Sequence, residues 1–542
     1  MNLFPLFMSS AVPAAPAKRA FRDQALEDEA QRASPVDSPT TSCRIDPETV
    51  VRSTAQEIVA GIARGTWTAS QVLEVFIAQS LIAHAATNCI TEVLFDFARK
   101  RATQLDVGFL KTGCVMGPLH GVPISVKDQC YRVLGAVTKG LYNADCTPGG
   151  SSGGEACMLA LDASVIGLGS DIGGSLRIPA AYCGVYSLKP GCGRISNYGA
   201  KDSFPGFDGI KSAYGPMARC MDDLELACRV SFGARGAFGE VPPVPFRDAD
   251  LPKILRFGYY TSDGIIKASP ACIRAVKTTV EALQEAGHEC LALNLEDIAP
   301  EILDIFLNLT AADGYKNLLK EVGSDPLETS LSVLTFGPKV PQPIRDVAGW
   351  AIERFAGDKV MGDILRGSGT RTVEKYHAIC LRRNDVKNRF CREFWDKYEL
   401  DGIITYVHAS PQTLHDGSKM LSMMSAPSLT YNLVDSPAGV VPVTYVDAET
   451  DKLTQAWTDG PGHGSPMCER ELYFKGKKPL YDPGAMHGMP VGVQVVGRLW
   501  EDEKVLAMMR VVDDALGKER GFAPGTWGQR LKNRGGAQKE AT

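Results

Sequence analysis

The sequence predicts an α/β protein: a single large domain whose central mixed, mostly parallel twisted sheet is covered by helices on both faces. Two observations carry this. Short β-branched runs alternate with segments of helical period along most of the 542-residue chain, the pattern of strands joined by covering helices. A composition of 44% apolar and 22% charged residues can fill the core of such a unit.

Residues 1–50 are rich in Pro, Ala, Ser and Thr and lack a sustained apolar period, so they are read as a disordered arm. The domain is expected over 51–530, followed by a flexible tail over 531–542. Ser53 with Gln56 and Thr68 with Gln71 match the S/T-x-x-Q capping box, in which side chains satisfy the free N–H groups of a first helical turn. Two helices follow. The first carries Ile58, Val59 and Ile62 and stops near Gly65; the second carries Val72, Val75, Phe76, Ile77 and Leu81. The run from Leu119 to Val126 alternates and is read as a strand, with Lys127 at its C-terminal end. Beyond it, 154–163 reads as a helix, 163–169 and 184–190 as strands, and 265–400 as a mostly helical insertion placed to wall a pocket. The runs 400–407 and 490–497 read as strands, the last followed by an amphipathic helix over 501–516.

Charge and composition exclude several classes. With 58 Lys and Arg against 63 Asp and Glu, the formal net charge is -5, and no field exists to hold nucleic acid. Fifteen cysteines and eight histidines show no C-x-x-C or H-x-x-x-H spacing, so neither a metal nor any other cofactor is expected. Reduced thiols point to a cytoplasmic protein. No run approaches the ~20 apolar residues of a membrane span, and the first residues lack the basic start of a secretory signal. A homodimer is compatible with the sequence.

The chemistry is concentrated between Lys127 and Ser175. TPGGSSGGE (147–155) could cradle an anion on its backbone, but it lacks the lysine of a nucleotide loop and the G-x-G-x-x-G spacing. DIGGSLRIP (171–179) again sets glycines against a serine. The G-x-S-x-G spacing occurs inside GGSSGG but not around Ser175, and no evident His/Asp pair accompanies either serine, so a serine nucleophile needs another base. Lys127 can serve if burial keeps its amine neutral. Ser175, Ser151 and Lys127 then read as nucleophile, relay and base for amide chemistry. His120, in a turn, reads as structural or as a pocket rim, and Cys183 as an inert buried thiol.

GPLHGVPISVKDQ (117–129), TPGGSSGGEACMLAL (147–161), GLGSDIGGSLRIPAAYCGVYSLKPGCGRIS (167–196) and GPMAR (215–219) resemble the amidase signature family, the Ser-Ser-Lys hydrolases. Weaker agreement extends over most of the chain, and Glu155 with the DIGGS loop is similar to the fungal amidase and fatty acid amide hydrolase branch. The resemblance implies the amidase signature fold, Ser175 as nucleophile, Ser151 as bridging serine after a cis peptide, and Lys127 as base. The backbone N–H groups of Ile172, Gly173, Gly174 and Ser175 are expected to form an oxyanion hole, with Ser151 also meeting the substrate. Ser152, Ser170, Asp171 and Arg177 are expected to support the site. The substrate implied is a small or lipophilic carboxamide.

Only 23 residues separate Lys127 from Ser151, where the family inserts several tens more, including a helix, a core strand and part of the acyl pocket. An exposed sheet edge is therefore expected. Two readings stay open: an amidase working through an acyl-serine, and a catalytically impaired amidase-like binding or scaffold protein.

Overall fold

The computed structural model describes residues 14–32, 45–128, 138–200, 206–234, 241–322, 335–415, 417, 422–474 and 479–526. Its strands are β1 (Ile124–Val126), β2 (Ile166–Asp171), β3 (Tyr186–Lys189), β4 (Ala213–Ala218), β5 (Arg256–Tyr260), β6 (Glu289–Ala292), β7 (Gly402–Tyr406), β8 (Ala438–Tyr445) and β9 (Pro490–Val496). They form a single sheet in the order β1-β2-β4-β3-β8-β9-β7-β5-β6. The sheet is mixed as expected, but parallel neighbours occur only at its ends, where β1 meets β2 and where β7, β5 and β6 run together. The middle is antiparallel, and there β4 follows β3 with no helix between them among the described residues, where strand-helix alternation would place one.

The first helices are α1 (Ala14–Arg32), α2 (Pro47–Arg52), α3 (Ala55–Ala63), α4 (Ala69–Thr87) and α5 (Phe95–Thr112). Helix α1 lies inside the segment expected to be a disordered arm. Its Leu26 is buried, its Arg22 donates to the Ile90 carbonyl at 3.2 Å, and its Glu29 meets Arg99 of α5. A buried leucine and a shielded ion pair fix this segment despite its weak apolar pattern. The capping box of α3 also sits one residue later than expected. Thr54 and Glu57 form it, while Ser53 ends α2 and donates its hydroxyl back to the Thr49 carbonyl at 2.8 Å. The Thr68–Gln71 box of α4 is formed as read.

Next come α6 (Gly153–Ala160), α7 (Arg177–Cys183), α8 (Met221–Ser231), α9 (Pro270–Glu285) and α10 (Ala299–Thr310). The remainder are α11 (Lys316–Val322), α12 (Gln342–Ala351), α13 (Lys359–Gly367), α14 (Val373–Phe390), α15 (Ala426–Leu433), α16 (Gln455–Asp459), α17 (Pro466–Glu469) and α18 (Asp502–Leu516). Strand alternation assigns two faces. Helix α7 closes on the face carrying Gly492 and Gln494 of β9, where a side chain on Gly492 would reach the Ala181 backbone. Met509 of α18 fills the opposite face at Gly439. Every residue of β7 and β9 is buried, as strands covered on both sides must be. The 265–400 region is mainly helical, yet it also supplies β6, and α9 lies against β7, β8 and β9 as part of the core layer. It is therefore not wholly an insertion.

Strand β1 is a three-residue edge, and its Ile124 and Val126 are 42% and 64% exposed. Exposed apolar edge strands template association between chains. Val126→Thr keeps β-propensity and lowers apolarity, and its side chain faces away from Lys127. The variant is expected to raise the temperature at which light scattering marks aggregation, with amide hydrolysis unchanged; an unaltered onset would show that the edge does not drive association.

Candidate active site

The ladder extends one residue past β1, since the Lys127 N–H donates to the Leu168 carbonyl at 2.9 Å. Lys127 thus projects from the same face as Ser125, across from glycines of β2. One of these, Gly169, must be small: a Cβ there would lie 2.7 Å from Ser152 Oγ. Its absence lets the 147–152 loop settle against the strand. The Gly150–Ser151 peptide is cis. Lys127 Nζ lies 2.7 Å from Ser151 Oγ and 2.9 Å from Ser170 Oγ, donating to both when protonated. Desolvation by the surrounding protein lowers Lys127 to about 8, against the opposing pull of Glu155 and Asp171.

Ser175 is brought alongside by backbone bonding, with the Ser152 N–H donating to the Ser175 carbonyl at 3.0 Å. Among the described residues no hydrogen bond links the Ser175 and Ser151 hydroxyls. Such catalytic links often tighten only when substrate is bound. Ser151 is exposed and Ser175 half-buried, so both are open to a reactant.

Asp171, at the end of β2, shapes the loop that carries Ser175. Its carboxylate accepts the N–H of Gly174 at 2.7 Å and that of Leu176 at 3.1 Å. Gly174 adopts φ +106, and a side chain there would strike Ile178 and Ser428 at 2.8 Å. This corrects one expectation, because the Gly174 N–H is committed to Asp171 and is not free for an oxyanion. The N–H groups of Ile172, Gly173 and Ser175 have no acceptor among the described residues. Arg177 grips Asp171 from α7 with bonds of 2.9 and 3.0 Å, and both side chains are fully buried. Burial alone would raise the Asp171 carboxyl, but the Arg177 charge and its bonds, with Lys189 and Asn432, outweigh burial and hold it well below the usual carboxylate range.

Arg177 also donates to Gln494 of β9 at 2.9 Å, to the Ser428 carbonyl at 3.0 Å and to Asn432 of α15 at 2.6 Å, and Asn432 donates to Asp171 at 2.9 Å. Gln494, Ser428 and Asn432 escaped the sequence reading. Nothing in one dimension aims the Asn432 and Gln494 side chains or the Ser428 carbonyl at a loop more than 250 residues away. Leu429 and Phe306 were also missed; a carbon added at Gly173 would lie 2.8 Å from the first and 3.4 Å from the second.

His120 is buried, and its Nδ1 accepts the Met116 N–H at 2.9 Å, a structural role. Cys183 is buried with its thiol against the Pro148 carbonyl at 3.7 Å. Neither is hydrogen-bonded to Lys127, Ser151 or Ser175.

The family model described as Amidase matches residues 71–140 and 131–506. The chain belongs to the amidase signature family. It is therefore a hydrolase acting on amide carbon–nitrogen bonds. The two matched segments of this amidase meet within the short stretch between Lys127 and Ser151. An acetamidase of Emericella nidulans is 28% identical, the match covering 86% of this chain and 90% of that one. Fatty-acid amide hydrolase 1 of Sus scrofa is 27% identical over 89% and 88%. A solved fatty acid amide hydrolase shares the fold with a TM-score of 0.74 at 24% identity, covering 94% of this amidase and 92% of its own chain. Among the described residues no helix is long and apolar enough to cross a membrane.

Proposed function

We propose that this amidase cleaves a small or lipophilic carboxamide through an acyl-Ser175 intermediate, with Lys127 as base and Ser151 as relay. The 2.7 Å contact between Lys127 Nζ and Ser151 Oγ, at a lysine lowered to about 8, carries the reading. Neutral Lys127 takes the Ser151 proton while Ser151 takes that of Ser175, and Ser175 Oγ bonds to the amide carbon. The charge on the carbonyl oxygen falls toward the N–H groups of Ile172, Gly173 and Ser175, each such donor contributing about 3 kcal/mol in related sites. As the C–N bond breaks, Ser151 passes its proton to the leaving nitrogen and Lys127 returns one to Ser151. Water then repeats the sequence on the ester and releases the acid.

An apolar acyl group is supported by Phe306 and Leu429 beside Gly173. One turn further along α10, a cavity of about 320 Å³ opens between Leu309, Phe207, Val373 and Tyr376. The alternative reading, an amidase-like binding protein, draws on the exposed β1 edge and the unformed bond between the two serines.

A fluorophosphonate probe separates them. The wild-type chain is expected to be labelled on Ser175, and Ser175→Ala to abolish labelling while melting as the wild type does. A folded wild-type protein that resists the probe would sink the acyl-serine mechanism and favour the binding protein.

A further inference from the structure

Glu155 occupies the first turn of α6 and is 8% exposed. It lies against the face of β1 and β2 from which Lys127 projects: a Cβ added at Gly167 would sit 3.2 Å from Glu155 Cβ and 3.3 Å from Ser125 Oγ. Gly167 pairs with Ser125 across the ladder. Lys127 leaves the chain two residues on, on the same side and roughly 7 Å further along. Among the described residues no lysine, arginine or histidine forms an ion pair with Glu155. The carboxyl accepts its own backbone N–H and faces Lys127 and Asp128 from the end of β1, the Cys157 thiol of its own helix, and the Cys89 thiol from the loop after α4. Lys127 in turn faces Ser151, Ser170, Glu155 and Asp171.

We propose that Glu155 is a positioning residue that sets the charge carried by Lys127, acting through the buried face of β1 and β2; this rests on Lys127 being the base. A carboxyl placed there without an ion-pair partner among the described residues answers to the cation on the same face, Lys127. Burial pushes it up to about 7, next to a lysine at about 8, so the two exchange charge states over the same span of pH and titrate as a pair. In the resting site the Glu155 carboxylate favours the ammonium and thins the population of neutral lysine. During attack it stabilises the ammonium formed when Lys127 takes the Ser151 proton. Its removal has two opposite effects: more lysine is ready at low pH, and each ready lysine is a weaker base.

The test follows the rate of fluorophosphonate labelling of Ser175 from about pH 6 to about pH 10 in the full chain, a span bracketing ordinary lysine and carboxyl ionisation. Relative to wild type, Glu155→Gln is expected to move the acid limb down by about half a pH unit or more, so that the fraction of its own plateau reached at pH 7 rises about threefold. The plateau itself is expected to fall. Glu155→Asp, which keeps the charge, is expected to hold its limb closer to wild type. A Gln limb that superimposes on the wild-type limb overturns the proposal. Lys127→Ala runs alongside: wild-type labelling with the wild-type limb in that variant would remove the base assignment instead. Melting by circular dichroism reports folding, and if Glu155→Gln melts early, Glu155→Met carries the same expected shift and the same refuting result.

Discussion

Lys127→Ala is expected to lower kcat/KM on a carboxamide by roughly 10²–10⁴, the share that a positioned general base supplies, without unfolding the protein. The two halves of this expectation come from one fact. Lys127 is lowered from 10.5 to about 8 because folding takes water from its ammonium. With Lys127 as the base, activity is expected to rise with pH through about 8, as the amine becomes neutral. The sign for stability is the same. Between the lowered value and 10.5 the unfolded chain binds more protons than the folded one, so this group makes stability rise with pH there, and its penalty is fully in force below about 8. Deleting the amine removes that penalty. The variant is therefore expected to melt at pH 7 no earlier than wild type, while a loss of activity accompanied by early melting would reduce the lysine to a structural part. Near wild-type turnover would refute the base assignment outright.

The second large effect concerns the fold. Arg177→Met is expected to cost about 3–5 kcal/mol, the penalty for stranding one member of a buried pair. The Asp171 carboxylate, with no exposed surface, would keep as hydrogen-bond partners among the described residues only Asn432 and the N–H groups of Gly174 and Leu176, with the Lys189 charge further off. Because those N–H groups set the turn before Ser175, the loop loses its pin together with the stability. Chemical denaturation checks the first consequence and probe labelling of Ser175 checks the second. A midpoint within experimental scatter of wild type would show that α7 and α15 hold the loop without the guanidinium. Arg177→Lys is not a conservative rescue, since one ammonium cannot meet Asp171, Gln494, Ser428 and Asn432 at once.

The residues that a backbone must approach closely were readable from the sequence. Glycines set against serines mark places where a loop packs on a strand or turns with positive φ, as Gly169 and Gly174 do, and a lysine closing a β-branched run announces its own position. These signals are local. The grip on Asp171 is assembled from α7, α15 and β9, and Asn432 carries no mark that separates it from a helix-end asparagine until the sheet brings it 2.9 Å from the carboxylate. The direction of the central strands was hidden for a similar reason. A buried strand such as β8 has the same composition whether its neighbours run with it or against it. Helix α1 was lost because its stability lies in contacts with α4 and α5, not in its own apolar stripe. The expected oxyanion donors show the limit of reading residue types: Gly174 has the freedom expected of a donor, yet its N–H is spent on the side chain that makes the turn.

The two halves of the site rest on foundations of unequal strength. Ser175 is tied through Arg177 to strands in the middle of the sheet, whereas Lys127 hangs from a three-residue ladder at the margin. Marginal strands open with small free energies long before a whole domain unfolds. The β1 amides and the Lys127 N–H are therefore expected to exchange with solvent before those of β8 and β9, which hydrogen exchange would read directly. On the proposed mechanism, the span over which Lys127 meets Ser151 is then bounded by the pairing of a short marginal strand rather than by the core of the sheet.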